Sequence, residues 1–203
     1  MTGAHQQLQM KLQPELSFST WQEGVLDGGV ALVAGRRSVN VEIFGSSRIA
    51  ILLYGILLAS GFSQTTIHIK SARTVSDLDL SAGFLRPADV GLPINSRLTE
   101  VTKELSLFPN FTSHKGSMEG EGQVKKEGRV ERIALAIGKA PSELIQQWMS
   151  QGVPHLIIDA PDGPSLTVGP LVIPGKTPCL RCVAMSKEDN HEAWKDIAWQ
   201  KTK

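Results

Sequence analysis

From Val39 to Phe62 the chain opens with the β-branched stretch Val39-Asn40-Val41-Glu42-Ile43-Phe44, breaks at Gly45, and passes through polar Ser46-Ser47-Arg48. It then runs almost wholly apolar to Ala59. The pattern predicts a strand, a Gly-Ser turn and a buried helix capped at its C-terminus by Gly61. Thr65 to Lys70 predicts a second strand, joined to the first in a right-handed βαβ unit with the two strands parallel. In such a unit phosphates bind at the first strand-to-helix turn, where backbone N–H groups are free and the helix dipole is positive. Gly45, Ser46, Ser47 and Arg48 are therefore the candidate nucleotide turn.

Around this unit the pattern is less uniform. Residues 1–38 alternate weakly, and Leu16 to Ser19 with Val25 to Val33 predict a small N-terminal β appendage, an edge strand and a hairpin turning at Gly28-Gly29. The span 71–91 carries Asp77, Asp79, Gly83, Pro87, Asp89 and Gly91 and predicts an irregular but ordered connection. Leu98, Val101, Leu105 and Phe108 recur at helical spacing, which predicts a helix over 92–108 with Pro93 near its start. Pro109 to Glu131 lacks apolar periodicity and predicts a surface loop. Ile133 to Ile137 predicts a buried strand, Pro141 to Gly152 a helix, and Val153 to Ile158 and Leu166 to Ile173 two further strands. Strands alternating with helices indicate an α/β fold with a Rossmann-like, mainly parallel sheet over 39–203.

Composition narrows the function classes. A formal net charge of +1 offers no reason to expect nucleic acid or an anionic membrane as partner. The apolar run from Ile49 to Phe62 is about 14 residues, short of the roughly 20 that span a bilayer. The polar N-terminus does not read as a signal peptide, and a cytoplasmic location is expected. The two cysteines, Cys179 and Cys182, do not form a secreted disulfide framework.

The strand, Gly-Ser turn and apolar helix, followed by Val75-Ser76-Asp77-Leu78-Asp79-Leu80 and Asp89-Val90-Gly91, resemble the ThiF-type, ubiquitin-activating-enzyme-like superfamily. The stretches Gly152-Val153-Pro154-His155-Leu156 and Val168 to Cys182, with Trp194 and Gln200 after the cysteine pair, resemble one branch of it. Members of that branch are found beside thiazole/oxazole-modified peptide cyclodehydratases and bind the leader of a precursor peptide. The resemblance covers residue 39 to the end. It implies a precursor peptide or a cyclodehydratase-type enzyme as partner, and it is compatible with a homodimer.

Active members of the superfamily adenylate a C-terminal carboxylate with ATP, and here their apparatus is altered. Ser47 stands where the second turn glycine is expected and Ala50 at the third. The second strand ends in Lys70-Ser71 instead of an acid, Ile94 follows where a basic residue is expected, and Gly138-Lys139-Ala140-Pro141 supplies no Asp for Mg²⁺. Members of the branch usually carry an N-terminal winged helix, for which 1–38 is expected to be too short, and a second cysteine pair, so a truncation at the C-terminal end is expected. The expectation is a non-catalytic ThiF-like protein that presents a precursor peptide to a modifying enzyme. An ATP-dependent adenylyltransferase of the ubiquitin-like-modifier-activating type is the alternative.

Several residues carry competing readings. The Gly45–Arg48 turn is either a phosphate site or a purely structural turn. Lys70 to Arg73 could accept an adenosine 2′-phosphate. Cys179 and Cys182 have zinc-ligand spacing, but structural zinc wants four ligands, leaving a half-site of reduced thiols or a site completed by His191 or a second subunit. A redox C-x-x-C would be expected to open a helix in a thioredoxin-like context, which the pattern does not offer here. Asp159 to Pro164 reads as a turn before it reads as paired catalytic carboxylates. An incoming peptide could add to a strand edge in 16–33, since the strand at 166–173 is apolar and expected to be central or covered.

Overall fold

The computed structural model describes residues 3–21, 26–69, 73–106, 131–159 and 166–190, with side chains from Met10 onward. The elements in order are α1 (Gly3–Thr20), α2 (Val30–Gly35), β1 (Asn40–Phe44), α3 (Arg48–Ala59), β2 (Gln64–His68), α4 (Ile94–Leu105), β3 (Arg132–Ile137), α5 (Ser142–Ser150), β4 (His155–Asp159), β5 (Thr167–Val172) and α6 (Leu180–Asn190). The strands follow the order β2-β1-β3-β4-β5 in one mostly parallel sheet, as the α/β pattern predicts. The chain divides into two units, residues 1–133 and 134–203.

In the first unit β1 and β2 are parallel, with Asn40 opposite Gln64 and Phe44 opposite His68. Val41 and Ile43 point into the core, and α3 buries Ala50, Ile51, Tyr54, Gly55 and Leu58. Helix α3 ends as the sequence expects. Gly61 takes φ 97°, its N–H donates to the Leu58 carbonyl at 3.1 Å, and the Phe62 N–H reaches back to Leu57 at 3.0 Å. A residue with a Cβ would be strained there, so glycine closes the helix. Helix α4 buries Ile94, Leu98 and Val101 on one face, matching the predicted spacing. The connection 73–93 is ordered through two short 3-10 turns, at Asp77–Ala82 and Pro87–Asp89.

The N-terminal appendage is a correction: among the described residues of 1–38 there is no strand, and α1 and α2 stand in its place. Asp27 explains the second helix. Its carboxylate accepts the Gly29 N–H at 3.1 Å and the Ala31 N–H at 2.7 Å, satisfying donors left open at the start of α2. Gly29 adopts φ 84°, and a Cβ there would lie 2.4 Å from the Ser19 Cβ. Gly29 thus seats α2 against α1, and Gly28-Gly29 does not turn a hairpin. Arg36 pairs with Glu15 of α1, donates to the Ser60 carbonyl at 2.7 Å and covers the Phe62 ring. The appendage is thereby tied to the end of α3.

In the second unit β3 and β4 are parallel, whereas β5 is antiparallel to β4, with His155 opposite Val172 and Asp159 opposite Thr167. The strand expected to be central is last in the sheet order, and Val168 and Leu171 are exposed. The short link from Asp159 to Thr167 leaves no length for a crossover helix, so the chain must turn straight back. Trp148 of α5 is buried against His155, ring centroids 5.3 Å apart, in the core of this unit. The expected loop at 109–130, the Pro161 to Pro164 turn, Lys70 to Ala72, His191, Trp194 and Gln200 lie outside the described residues.

Candidate functional site

The Gly45–Arg48 turn sits where the sequence places it, between β1 and α3. Gly45 has φ 154° and donates its N–H to the His68 carbonyl at 3.4 Å, so the turn is fixed to the end of β2. Ser47 is the N-cap of α3, and its Oγ accepts the Ala50 N–H at 3.4 Å. That N–H is one of the donors a phosphate would use at a helix N-terminus. Arg48 follows, exposed and without an ion pair among the described residues.

Two residues that sequence reasoning did not assign to the turn hold it in place. Arg73 donates to the Ser46 carbonyl at 2.9 Å and grips Asp79 with bonds of 2.8 and 2.9 Å. Asp79 also accepts the N–H and the hydroxyl of Ser76, each at 2.9 Å, closing a capping box. The Arg73 hydrogen bonds, with help from Ser76, hold the Asp79 carboxyl down at about 2. Arg73 therefore serves the turn from within and is not presented as a 2′-phosphate acceptor. The signal was present in the sequence as Ser76-Asp77-Leu78-Asp79, a capping-box spacing. Beside the turn, Phe44 and His68 stack with centroids 4.3 Å apart, and Glu42 pairs with Arg132 through bonds of 2.8 and 2.9 Å.

At this turn the Ala50 N–H is engaged by Ser47, the Ser46 carbonyl is held by Arg73, and β2 ends at His68.

A second concavity lies along β2 in the same unit. It has a volume of about 570 Å³ and is lined by residues 65–69 of the β2 edge and by Tyr54, Asn95, Leu98, Thr99 and Thr102. The Tyr54 hydroxyl bonds Thr102 Oγ1 at 2.5 Å, and burial pushes its pKa above the ordinary phenol value. Among the described residues β2 is the terminal strand of the sheet on this side. The groove is lined by this last strand and by Asn95, Thr99 and Thr102 of α4, the hydroxyls of Thr99 and Thr102 donating to the Asn95 and Leu98 carbonyls of their own helix. Sequence reasoning missed it, having sought the peptide-accepting edge in 16–33.

In the second unit Cys179 and Cys182 are free, with Sγ atoms 3.4 Å apart. Cys179 immediately precedes α6, and its Sγ accepts the Cys182 N–H at 3.5 Å, which holds its pKa below the usual thiol value. No cluster of three or more His, Cys, Asp or Glu suited to a metal occurs among the described residues. Cys179 and Cys182 offer two thiolates, half of the four of a structural zinc site.

No protein-family model and no curated protein matches the chain. Solved structures share its fold. E. coli MccB with AMPCPP and MccA superposes with a TM-score of 0.54 at 19% identity, over 83% of this chain and 50% of that one. The microcin C7 biosynthetic enzyme MccB in complex with N-formylated MccA gives 0.51 at 22% identity, over 75% and 45%. E. coli MccB with ATP gives 0.50 at 22%, over 75% and 46%. The chain thus spans about half the length of these structures. No described helix is long and apolar enough to cross a membrane.

Proposed function

We propose that this protein is a non-catalytic ThiF-like member of a ribosomal peptide biosynthesis system, and that it binds a precursor peptide and presents it to a modifying enzyme. The observation that carries the reading is the groove between β2 and α4. A peptide in extended conformation can add its main chain to the β2 edge while its side chains meet Thr99, Thr102 and Asn95. The edge in 16–33 is withdrawn as a docking strand, because that region is helical where described. Structures of MccB with the MccA peptide support a peptide as the class of partner. The internally satisfied turn supports a role without adenylation.

A substitution in the groove tests this. Thr99 is exposed on α4, and Thr99→Arg fills the groove without touching the core. Binding of a labelled synthetic peptide, copied from the short precursor encoded nearest this gene, should weaken at least tenfold with the circular dichroism unchanged. Unaltered affinity would remove the groove from the account. The second reading, an ATP-dependent adenylyltransferase, draws on exposed Arg48 at the start of α3 and on MccB structures holding ATP or AMPCPP. Pyrophosphate exchange separates the two.

A further inference from the structure

Helix α4 turns one continuous stripe to the groove on β2: Asn95, Leu98, Thr99 and Thr102, spaced three and four residues apart. Its charged residues lie off that stripe, and Arg97 is engaged with Asp89, Glu100 and Glu104. Among the described residues the groove lining contains no carboxylate, ammonium or guanidinium. Its imidazole, His68, stacks on Phe44 and lies 3.7 Å from Glu42. The hydroxyl protons on the α4 side are committed inside the protein. Thr99 Oγ1 donates to the Asn95 carbonyl at 2.9 Å, Thr102 Oγ1 to the Leu98 carbonyl at 2.8 Å and Thr65 Oγ1 to the Phe62 carbonyl at 2.7 Å. Because the Thr102 proton is engaged in this way, the Tyr54 hydroxyl donates its own to Thr102 Oγ1. What these hydroxyls leave for a ligand is lone pairs. Thr66, the remaining hydroxyl of the lining, falls on the other face of β2, since successive strand side chains alternate.

We propose that the groove selects peptide residues whose side chains are uncharged hydrogen-bond donors, such as Ser, Thr or Gln, and rejects Asp and Glu. This rests on the peptide-presenting reading and specifies which residues the groove takes. Side chains of a strand added to β2 alternate, so every second one faces α4. An amide or hydroxyl there donates to the lone pairs of Thr99 and Thr102. A carboxylate brings acceptors only, sets them against those lone pairs and loses its water without gaining a donor. Asn95 carries an amide that can donate or accept and does not discriminate, so the choice is made at Thr99 and Thr102. A Lys side chain can donate, but no carboxylate in the described lining balances its charge.

The test takes the labelled precursor peptide and replaces each position singly by Gln and by Glu, an isosteric pair that differs in the donor. At alternate positions within one stretch, Glu should bind the full chain at least tenfold more weakly than Gln, and elsewhere the two should agree. The gap should survive high salt, because it arises at contact and not from a long-range field. Thr99→Val keeps the shape of this exposed side chain and removes its lone pairs, so the gap at one position should shrink. Thr99→Ser should preserve it, and circular dichroism checks that both variants fold. Equal binding of Gln and Glu throughout, the same gap at every position, a gap erased by salt, or a gap unmoved by Thr99→Val would overturn the proposal and leave peptide presentation standing. A wild-type chain that binds none of the peptides would remove presentation itself, and the selectivity with it.

Discussion

The Arg73 guanidinium holds Asp79 through two hydrogen bonds while a third reaches the Ser46 carbonyl, so an ion pair after β2 sets the shape of the turn after β1. Asp79 is nearly buried, which makes the loss of its charge expensive. Replacing it by Asn leaves Arg73 undercompensated and should cost about 1–3 kcal/mol near neutral pH. The Asp79 carboxyl is lowered from 3.8 to about 2. A depressed carboxylate contributes its stability above the unfolded value and loses it as pH falls through the folded one. The gap between wild type and Asp79→Asn should therefore be constant above about pH 5 and close between about pH 4 and pH 2. Urea unfolding at a series of pH values reads this, and a gap that persisted to about pH 2 would contradict it.

Arg97 is a buried cation of a different kind. Its Nε lies 3.0 Å from Asp89, and its Nη1 reaches Glu100 at 2.8 Å and Glu104 at 3.3 Å. Both glutamates are well exposed and contribute little, so the weight falls on Asp89, which also accepts the Arg86 N–H at 2.7 Å. Arg97→Met should destabilise by about 3 kcal/mol, because a buried carboxylate loses its charge partner. Adding Asp89→Asn to that variant should recover part of the loss. Equal loss in the double variant would show that the pair is not the cause.

Gly55 lies inside α3, where helix propensity favours alanine by about 1 kcal/mol. The packing reverses the sign. A Cβ at position 55 would lie 2.0 Å from Phe84 Cε1, so the ring has to move off the helix. Gly55→Ala should lower the melting temperature by several degrees, at about 2–4 °C per kcal/mol for a chain of this size. Gly55→Ala combined with Phe84→Ala should be less destabilised than the two single costs added together, since each removes the same contact. A rise in melting temperature for the single variant would contradict the packing argument.

How much of this was legible can be judged element by element. The strand, turn and helix from Asn40 to Ala59 fell where hydrophobic periodicity and Gly45 placed them, because a buried helix leaves a continuous apolar run. Helix α4 was readable from Leu98 and Val101 for the same reason. Helix α1 was not, since Pro14 lies inside it and speaks against a helix. Its Gln-rich first half carries good helix propensity without a clear apolar stripe. Asp27-Gly28-Gly29 has the composition of a hairpin turn, and only the Asp27 carboxylate bonding into α2 decides otherwise. The position of the Gly45–Arg48 turn between β1 and α3 was legible, but the hold of Arg73 and Asp79 on it was not. Their contact with Ser46 is made in three dimensions by an irregular connection.

The central claim is a division of labour: peptide binding without adenylation. The most direct measurement combines titration of the labelled precursor peptide with ATP–pyrophosphate exchange on the same sample. The account predicts saturable peptide binding, weakened at least tenfold by Thr99→Arg, with exchange indistinguishable from a blank at saturating peptide. Exchange above the blank that disappears in Gly45→Trp, or a full-length chain that fails to bind the peptide, would contradict it.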